Sequence, residues 1–509
     1  MKNERRHINL WNFSTLGISR LIILLFGVLV MTGLSQVSRA QSPVTILQAD
    51  RIEGGSYQGN QVRKILGNVH LQSKKLEMYC DSAYQFINKN QIRAFGNIEV
   101  DTKSEKIWAD TLIYLTDLDF SRLRGRVIIE ADSTTLFGNS VDYRFSTKVA
   151  HFIDEIRLED QRGTLLANSG FYYRKADSAE FHGKVQLADS LKYLEGDSLY
   201  SNRKAKRYEM YGDIYGNDRQ HDSMIKGDYL EADSTGRRLL KGHAWLKSFE
   251  KDTTDTTQTD TTHIRAQIIR SEEKRLKKDT TQVVHAYQNV RIWSPSFSAV
   301  GDTSLYSDST NTFEIWSNST AWHKQVQLTG PYIIAKLKNG HIDSLKSYPH
   351  PFSVQQDTSI DRLNQISGDT LTAGFENGAL KQIHVNGNSH LLRFTTNDLD
   401  KPDGAIDITA PTILILFDKG KVDTMKAIGA VNGSYLPESE QTAKRRLDGF
   451  AWNPDQRPER PKEKMQRRFP PIPDKVFFKL PDRYVEHLRK TRPGSSKLDD
   501  LQNLQDEQD

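Results

Sequence analysis

The 509-residue chain has one cysteine, Cys80, so no internal disulfide can staple it. Its stability must come from burial and backbone pairing, and Cys80 reads as a small buried filler rather than a reactive thiol. Net charge is scarce as well. The first forty residues hold five of the 70 basic side chains and one of the 65 acidic ones, so the remainder of the chain is close to neutral. That gives no case for nucleic acid. The apolar run "LIILLFGVLVMTGL" (21–34) is too short for a membrane span. It follows the basic "MKNERRH" and precedes Ser38 and Ala40, which is the layout of an export signal. Catalytic signatures are missing too: there is no Gly-x-Ser-x-Gly, no His-Glu-x-x-His, no P-loop and no cysteine pair for zinc. No cofactor or metal is expected, and the chain is not read as an enzyme.

What is present is a period. Gly67, Gly96, Gly125, Gly183 and Gly212 fall on one ladder of 29 residues, with Asp154 on the rung between Gly125 and Gly183. Gly242 follows one residue late, and the spacing returns at Gln288 and Ser317. Gly387 and Gly429 mark looser rungs. A second phrase begins 13 or 14 residues after each early rung: "CDSAYQF", "ADTLIYL", "NSVDYRF", "NSGFYYR", "GDSLYSN". The unit is therefore two strands with turns between them, repeated as in a solenoid-type array. At about 4.8 Å per strand, a dozen rungs would give a body on the order of 60 to 110 Å long.

Strand periodicity assigns the faces, because residues i, i+2 and i+4 point the same way. Val69 and Leu71, Ile98 and Val100, Val127 and Ile129, and Val185 and Leu187 share the apolar face with the rung glycines. Asn68, His70, Asn97, Glu99, Lys184 and Gln186 lie on the wet face, and Ile128 breaks that rule. Glycine on an apolar strand face marks a bend or a close approach to the backbone. Repeated on most rungs, it would crease the whole sheet. The recurring Asp81, Asp110, Asp197 and Asp228 read as turn caps, since an active-site carboxylate would be needed once and not on every rung. His341, His350, His384 and His390 lack ligand spacing and read as surface histidines. Asp398–Gly404 is a poor calcium loop because Pro402 stands at a ligand position.

Composition divides the chain into an export signal (1–40), a first array (41–250), a Thr/Asp-rich insert (251–263), a second array (264–436) and a Pro-rich charged tail (437–509). The tail is expected to be extended or largely disordered, with a short helix near Asp482–Lys490.

The Gly-Asn-Val and Ala/Gly-Asp-x-hydrophobic-Tyr phrases, behind an export signal, resemble the OstA/LptA family of periplasmic lipopolysaccharide-transport proteins. The likeness is strongest over 44–245. "DRLNQISGDTLTAGFENGALKQIHVNGNS" (361–389) and "LDGFAWNPDQRPERP" (447–461) resemble the longer, OstA-like variant. The resemblance implies an all-β, antiparallel β-taco or β-jellyroll, V-shaped in section. It implies an apolar groove that shields lipid A acyl chains, lined here by Val69, Leu71, Ile98, Val100, Val127, Ile129, Val185 and Leu187. It also implies edge-strand pairing with jellyroll domains of inner- and outer-membrane partners, with self-association, and outer-membrane assembly from the periplasm as the role. Two other readings stand beside it: an envelope scaffold without lipid cargo, and a β-helix enzyme acting on polysaccharide. The aliphatic face could equally fill a closed core.

Overall fold

The computed structural model describes residues 44–251, 259–275, 280–338, 340–418 and 421–491. The expected export signal, part of the Thr/Asp insert and the last residues of the tail lie outside the described residues. The described chain is all-β: thirty strands form one antiparallel sheet, and each long strand pairs with its neighbours in sequence. The 29-residue unit is one hairpin. Gln91–Thr102 and Glu105–Leu115, for example, pair from Gln91↔Leu115 through to Thr102↔Glu105.

Each hairpin is bent at its middle, where the register skips. Phe95 faces Thr111 and Ile98 faces Ala109, so Gly96 and Asn97 together oppose Asp110. Gly96 and Asn97 are both left-handed, with φ of 73° and 44°. The same pair recurs at Gly67–Asn68, Gly125–Arg126, Gly183–Lys184, Gly212–Asp213, Gly242–His243 and Gly387–Asn388. Gln288–Asn289 and Ser317–Asn318 hold the same left-handed pair without glycine, but at the other rungs the first residue is glycine for two reasons. Its φ is hostile to a side chain, and a Cβ there would fall inside the Asp or Asn side chain of the preceding strand. Where the rung residue is Asp154 instead, the chain breaks into two short strands, Val149–Phe152 and Ile156–Asp160. Pro331 and Pro411 occupy the acid's position on two later strands, where no ladder partner is needed.

The crease folds the sheet onto itself. The half of each strand after the rung glycine forms wall A, and the half before it forms wall B. In the strand Thr259–Arg275, Ile264 and Ala266 precede the corner and Ile269 follows it. All three pack in one core with Val290, Ile333, Leu345, Val385 and Ile413. The sheet also continues through the insert: Arg238–Lys251 pairs with Thr259–Arg275 out to Lys251↔Thr259.

The tail is laid along the outside of wall A and runs back along it towards the first strands. Leu447 packs with Phe352, Leu392 and Phe394, while helix Asp482–Thr491 seats Tyr484 and Leu488 on Trp108, Ile128 and Phe137. Ile128, the apparent exception to the polar face, is apolar because the tail covers it. Between these ends, buried polar side chains of wall A bond to the tail backbone in place of a strand. Gln365 accepts from the Leu447 N–H and donates to the Arg445 carbonyl. Gln327 does the same with Asn453 and Ala451. Glu195 accepts from Arg468 and Phe469 N–H, and Arg157 donates to the carbonyls of Pro473, Asp474 and Lys475. Glu195 and Gln327 are 0% exposed and Arg157 is 4% exposed. These bonds fix the register of the tail on the wall, and each contributes about 0.5–1.5 kcal/mol net, more where Glu195 or Arg157 is charged.

Two outcomes are expected. Gly96→Ala should lower unfolding stability by about 1–3 kcal/mol in urea titration. Gly54→Ala, at an open extended site, should stay within about 0.5 kcal/mol. His263, beneath the tail, is pushed down to about 4 by burial and by Lys247, Arg265 and Arg460. Its neutral ring accepts from the Trp245 indole at 3.1 Å. The unfolded chain therefore takes up the proton first as pH falls, so stability is lost between about 6.5 and 4. His263→Gln should flatten that slope in melts taken across this range.

Candidate functional site

The aliphatic positions singled out from the sequence come together between the walls. Val69, Leu71, Ile98, Val100, Val127, Ile129 and Val185 are 0–2% exposed. Leu187 is half-buried, opposite Leu194 and Leu165. Met78 and Cys80, the direct partners of Leu71 and Val69, complete the first rung. Cys80 is fully buried, and desolvation pushes its thiol up to about 12. The result is a continuous apolar interior, built from both walls and closed in this structure. The four histidines with no ligand spacing lie apart from it, and His390 pairs with Asp407 at 2.7 Å.

The recurring acids do a different job from the one their turn-like sequence suggested. Asp81, Asp110, Asp197 and Asp228 sit mid-strand at the crease, not in the hairpin turns. Asp81 accepts from Asn97 at 3.0 Å, Asp228 bonds His243 at 2.9 Å, and Asp110 accepts from Arg126 at 2.5–3.0 Å. These three acids tie their strands to the second left-handed residue of the next, whereas Asp197 faces Asp213 and both pair with Arg468 of the tail. They are mid-strand because the crease, like the turns, needs a side chain that can satisfy locally freed backbone and polar groups.

Opposite the crease is a mouth, where the hairpin turns of wall A meet those of wall B. Over the first half of the array the mouth is laced by charge. Lys75 pairs with Asp119 at 3.1 Å, Arg174 with Glu105 at 3.0 Å and with Asp132 at 3.1 Å, and Arg203 with Asp160 at 3.8 Å. Tyr143 donates to the other Glu105 oxygen, and Lys148 to the Ser104 hydroxyl. Burial raises the Tyr143 hydroxyl, and the adjoining Glu105 raises it further. Burial alone would push the Asp160 carboxyl up, but Arg162 and Arg203 hold it below the usual carboxylate range. Over the second half the contacts change character: Ser296 donates to the Gly340 carbonyl, and the His323 ring meets Phe375 edge-on at 4.8 Å.

Reading the sequence alone missed both the mouth and the tail's seat. The Lys148–Ser104 and Arg174–Asp132 contacts join residues 44 and 42 apart, about one and a half repeats, while Arg174–Glu105 spans 69. A search for opposite charges at those offsets would have found the two Arg174 pairs. The tail's seat was announced by aromatic residues on the nominally wet face, Trp108, Phe137, Trp245 and Trp293 among them.

Compared with known proteins, residues 41–197 match the family described as OstA-like protein, the family that the repeating phrases resemble. This segment of the chain is OstA-like. No curated protein matches the chain.

Arg174→Ala should cost about 3 kcal/mol in urea unfolding, because it leaves the Glu105 carboxylate, only 2% exposed, without its cation. Adding Glu105→Gln should restore much of that loss. A double variant no better than Arg174→Ala would show that the pair does not hold the walls together.

Proposed function

We propose that this chain carries the acyl chains of a lipopolysaccharide-type lipid between its two walls, in the periplasm, as part of outer-membrane assembly. The observation that carries this is the apolar interior lined on wall A by Val69, Leu71, Ile98, Val100, Val127, Ile129, Val185 and Leu187, between two walls that are joined covalently only through the crease. The OstA-like match over 41–197 supports it, because that family points to a role related to lipopolysaccharide or lipid transport. The walls would part at the mouth, where ion pairs and hydrogen bonds are the closure, and acyl chains would pack against each wall in place of the opposite one. Burial contributes about 0.8 kcal/mol per methylene. A 12-carbon chain thus offers about 9 kcal/mol, enough to offset several partly exposed ion pairs.

The sheet's ends are the natural docking points for jellyroll partners or for a second copy. The first strands, Thr45–Gln48 and Arg51–Tyr57, expose Leu47 and Ile52. The last, Lys421–Ile428 and Asn432–Pro437, expose Ile428 and Tyr435. Unpaired edges accept an added strand. A second reading, a cargo-free envelope scaffold, is favoured by one observation: seven of the eight interior residues are already 0–2% exposed.

The discriminating experiment places a photo-reactive residue at Val69, Ile98 or Val127, with outward Asn68 and Arg126 as controls. Capture of lipopolysaccharide at the interior positions well above the controls is expected. Equal capture at both would rule out cargo between the walls and leave the scaffold.

A further inference from the structure

The geometry points to a phosphate-binding site at the mouth of the array, placed to hold the anionic end of an acylated lipid. This rests on the acyl-chain reading above and adds to it a fixed station for the headgroup.

A cavity of about 470 Å³ opens between one turn of wall A, Ala131–Thr134, and three turns of wall B that contribute Lys148, Tyr172, Arg174, Lys175, Asp177 and Arg203. That volume suits a phosphate or a phosphorylated sugar. Four cations line it against two carboxylates, Asp132 and Asp177. Two of the cations are uncompensated. Among the described residues, Lys148 and Lys175 make no ion pair; their ammonium groups donate to the Ser104 hydroxyl and the Ser146 carbonyl. Arg203 is loosely held, 3.5 Å from Asp177 and 3.8 Å from Asp160, with one donor on the Thr134 hydroxyl at 3.2 Å. Arg174 differs, because it bridges Glu105 and Asp132 and so ties the two lips of the cavity together.

Three donor groups with weak or neutral partners match the three acceptor oxygens of a phosphate monoester, and charge-assisted bonds to it would be stronger than those they replace. Position agrees with chemistry. The cavity lies at the rungs whose interior is Val127, Ile129 and Tyr143, so a lipid with its tails between the walls there would present its headgroup to these side chains. The second half of the mouth is closed by Ser296 on Gly340 and His323 on Phe375. The cationic station therefore belongs to the first half. Asp132, 84% exposed on its side chain, is the displaceable counter-charge.

The test uses the whole exported chain and three probes: a phosphorylated acyl-glucosamine disaccharide, the same lipid with its phosphates removed, and inorganic pyrophosphate. Wild type should bind the phosphorylated lipid about tenfold more tightly than the dephosphorylated one at low salt, with the difference shrinking as NaCl rises. The double variant Lys148→Gln/Lys175→Gln should lose that preference while still folding and still binding the dephosphorylated lipid. Asp132→Asn/Asp177→Asn should increase the preference. Pyrophosphate that competes only with the phosphorylated lipid shows that a free phosphate can take the site; failure to compete assigns it to the lipid headgroup. An undiminished preference in the lysine variant overturns the proposal. If neither lipid binds, the acyl reading fails, and the site is then judged by pyrophosphate alone. Saturable binding lost in the lysine variant upholds it, and no binding ends it.

Discussion

The long strands of this protein turn a corner at the midpoint, and on most rungs they do so where a glycine and its successor are both left-handed against an acid on the strand before. The acid occupies the volume where a glycine side chain would stand and bonds to the residue after it. Corner and acid thus specify each other. A strand lacking the pair would stay flat, and a flat sheet of this length would have one apolar face in water. The crease is what lets a repeating sheet bury its own aliphatic face without a second sheet from elsewhere.

Folding the sheet on itself creates three unlike surfaces. The interior is apolar, aliphatic side chains with aromatic ones such as Phe297 and Phe313 among them, so neighbouring rungs present a similar environment to a hydrocarbon. The mouth closes by side-chain contacts, ionic in the first half and aromatic or polar in the second. The outside of wall A is neither wet nor bare: the tail runs along it, read by Gln365, Gln327, Glu195 and Arg157 through its own backbone groups. A single covering segment that touches many rungs stiffens wall A and leaves wall B free of that constraint.

Much of the architecture was legible because the period is long and the chemistry at each rung is repeated. The 29-residue ladder gave the hairpin unit, and the i, i+2 pattern placed Val69, Ile98 and Val127 inside. The Pro-rich tail was open between extended chain and disorder; its described part, through Thr491, is mostly extended chain, with short helical turns at Glu440–Ala443 and Pro454–Gln456, and ends in the expected helix. Asp81 and its equivalents resisted, since a mid-strand corner and a hairpin turn require the same residue types. Ile128 stood out as an anomaly on a polar face, and nothing near it in sequence hinted at Tyr484 and Leu488 as its cover.

Local periodicity, then, was enough to decide the strands, their faces and the existence of a crease, because those depend on residues one or two positions apart and on glycine's tolerance of positive φ. Which turns meet across the mouth, and what lies on wall A, depended on contacts between residues dozens to hundreds of positions apart. Only the folded chain fixes those distances. A lysine such as Lys148 is indistinguishable in sequence from any other turn lysine until the opposite wall arrives without a carboxylate for it.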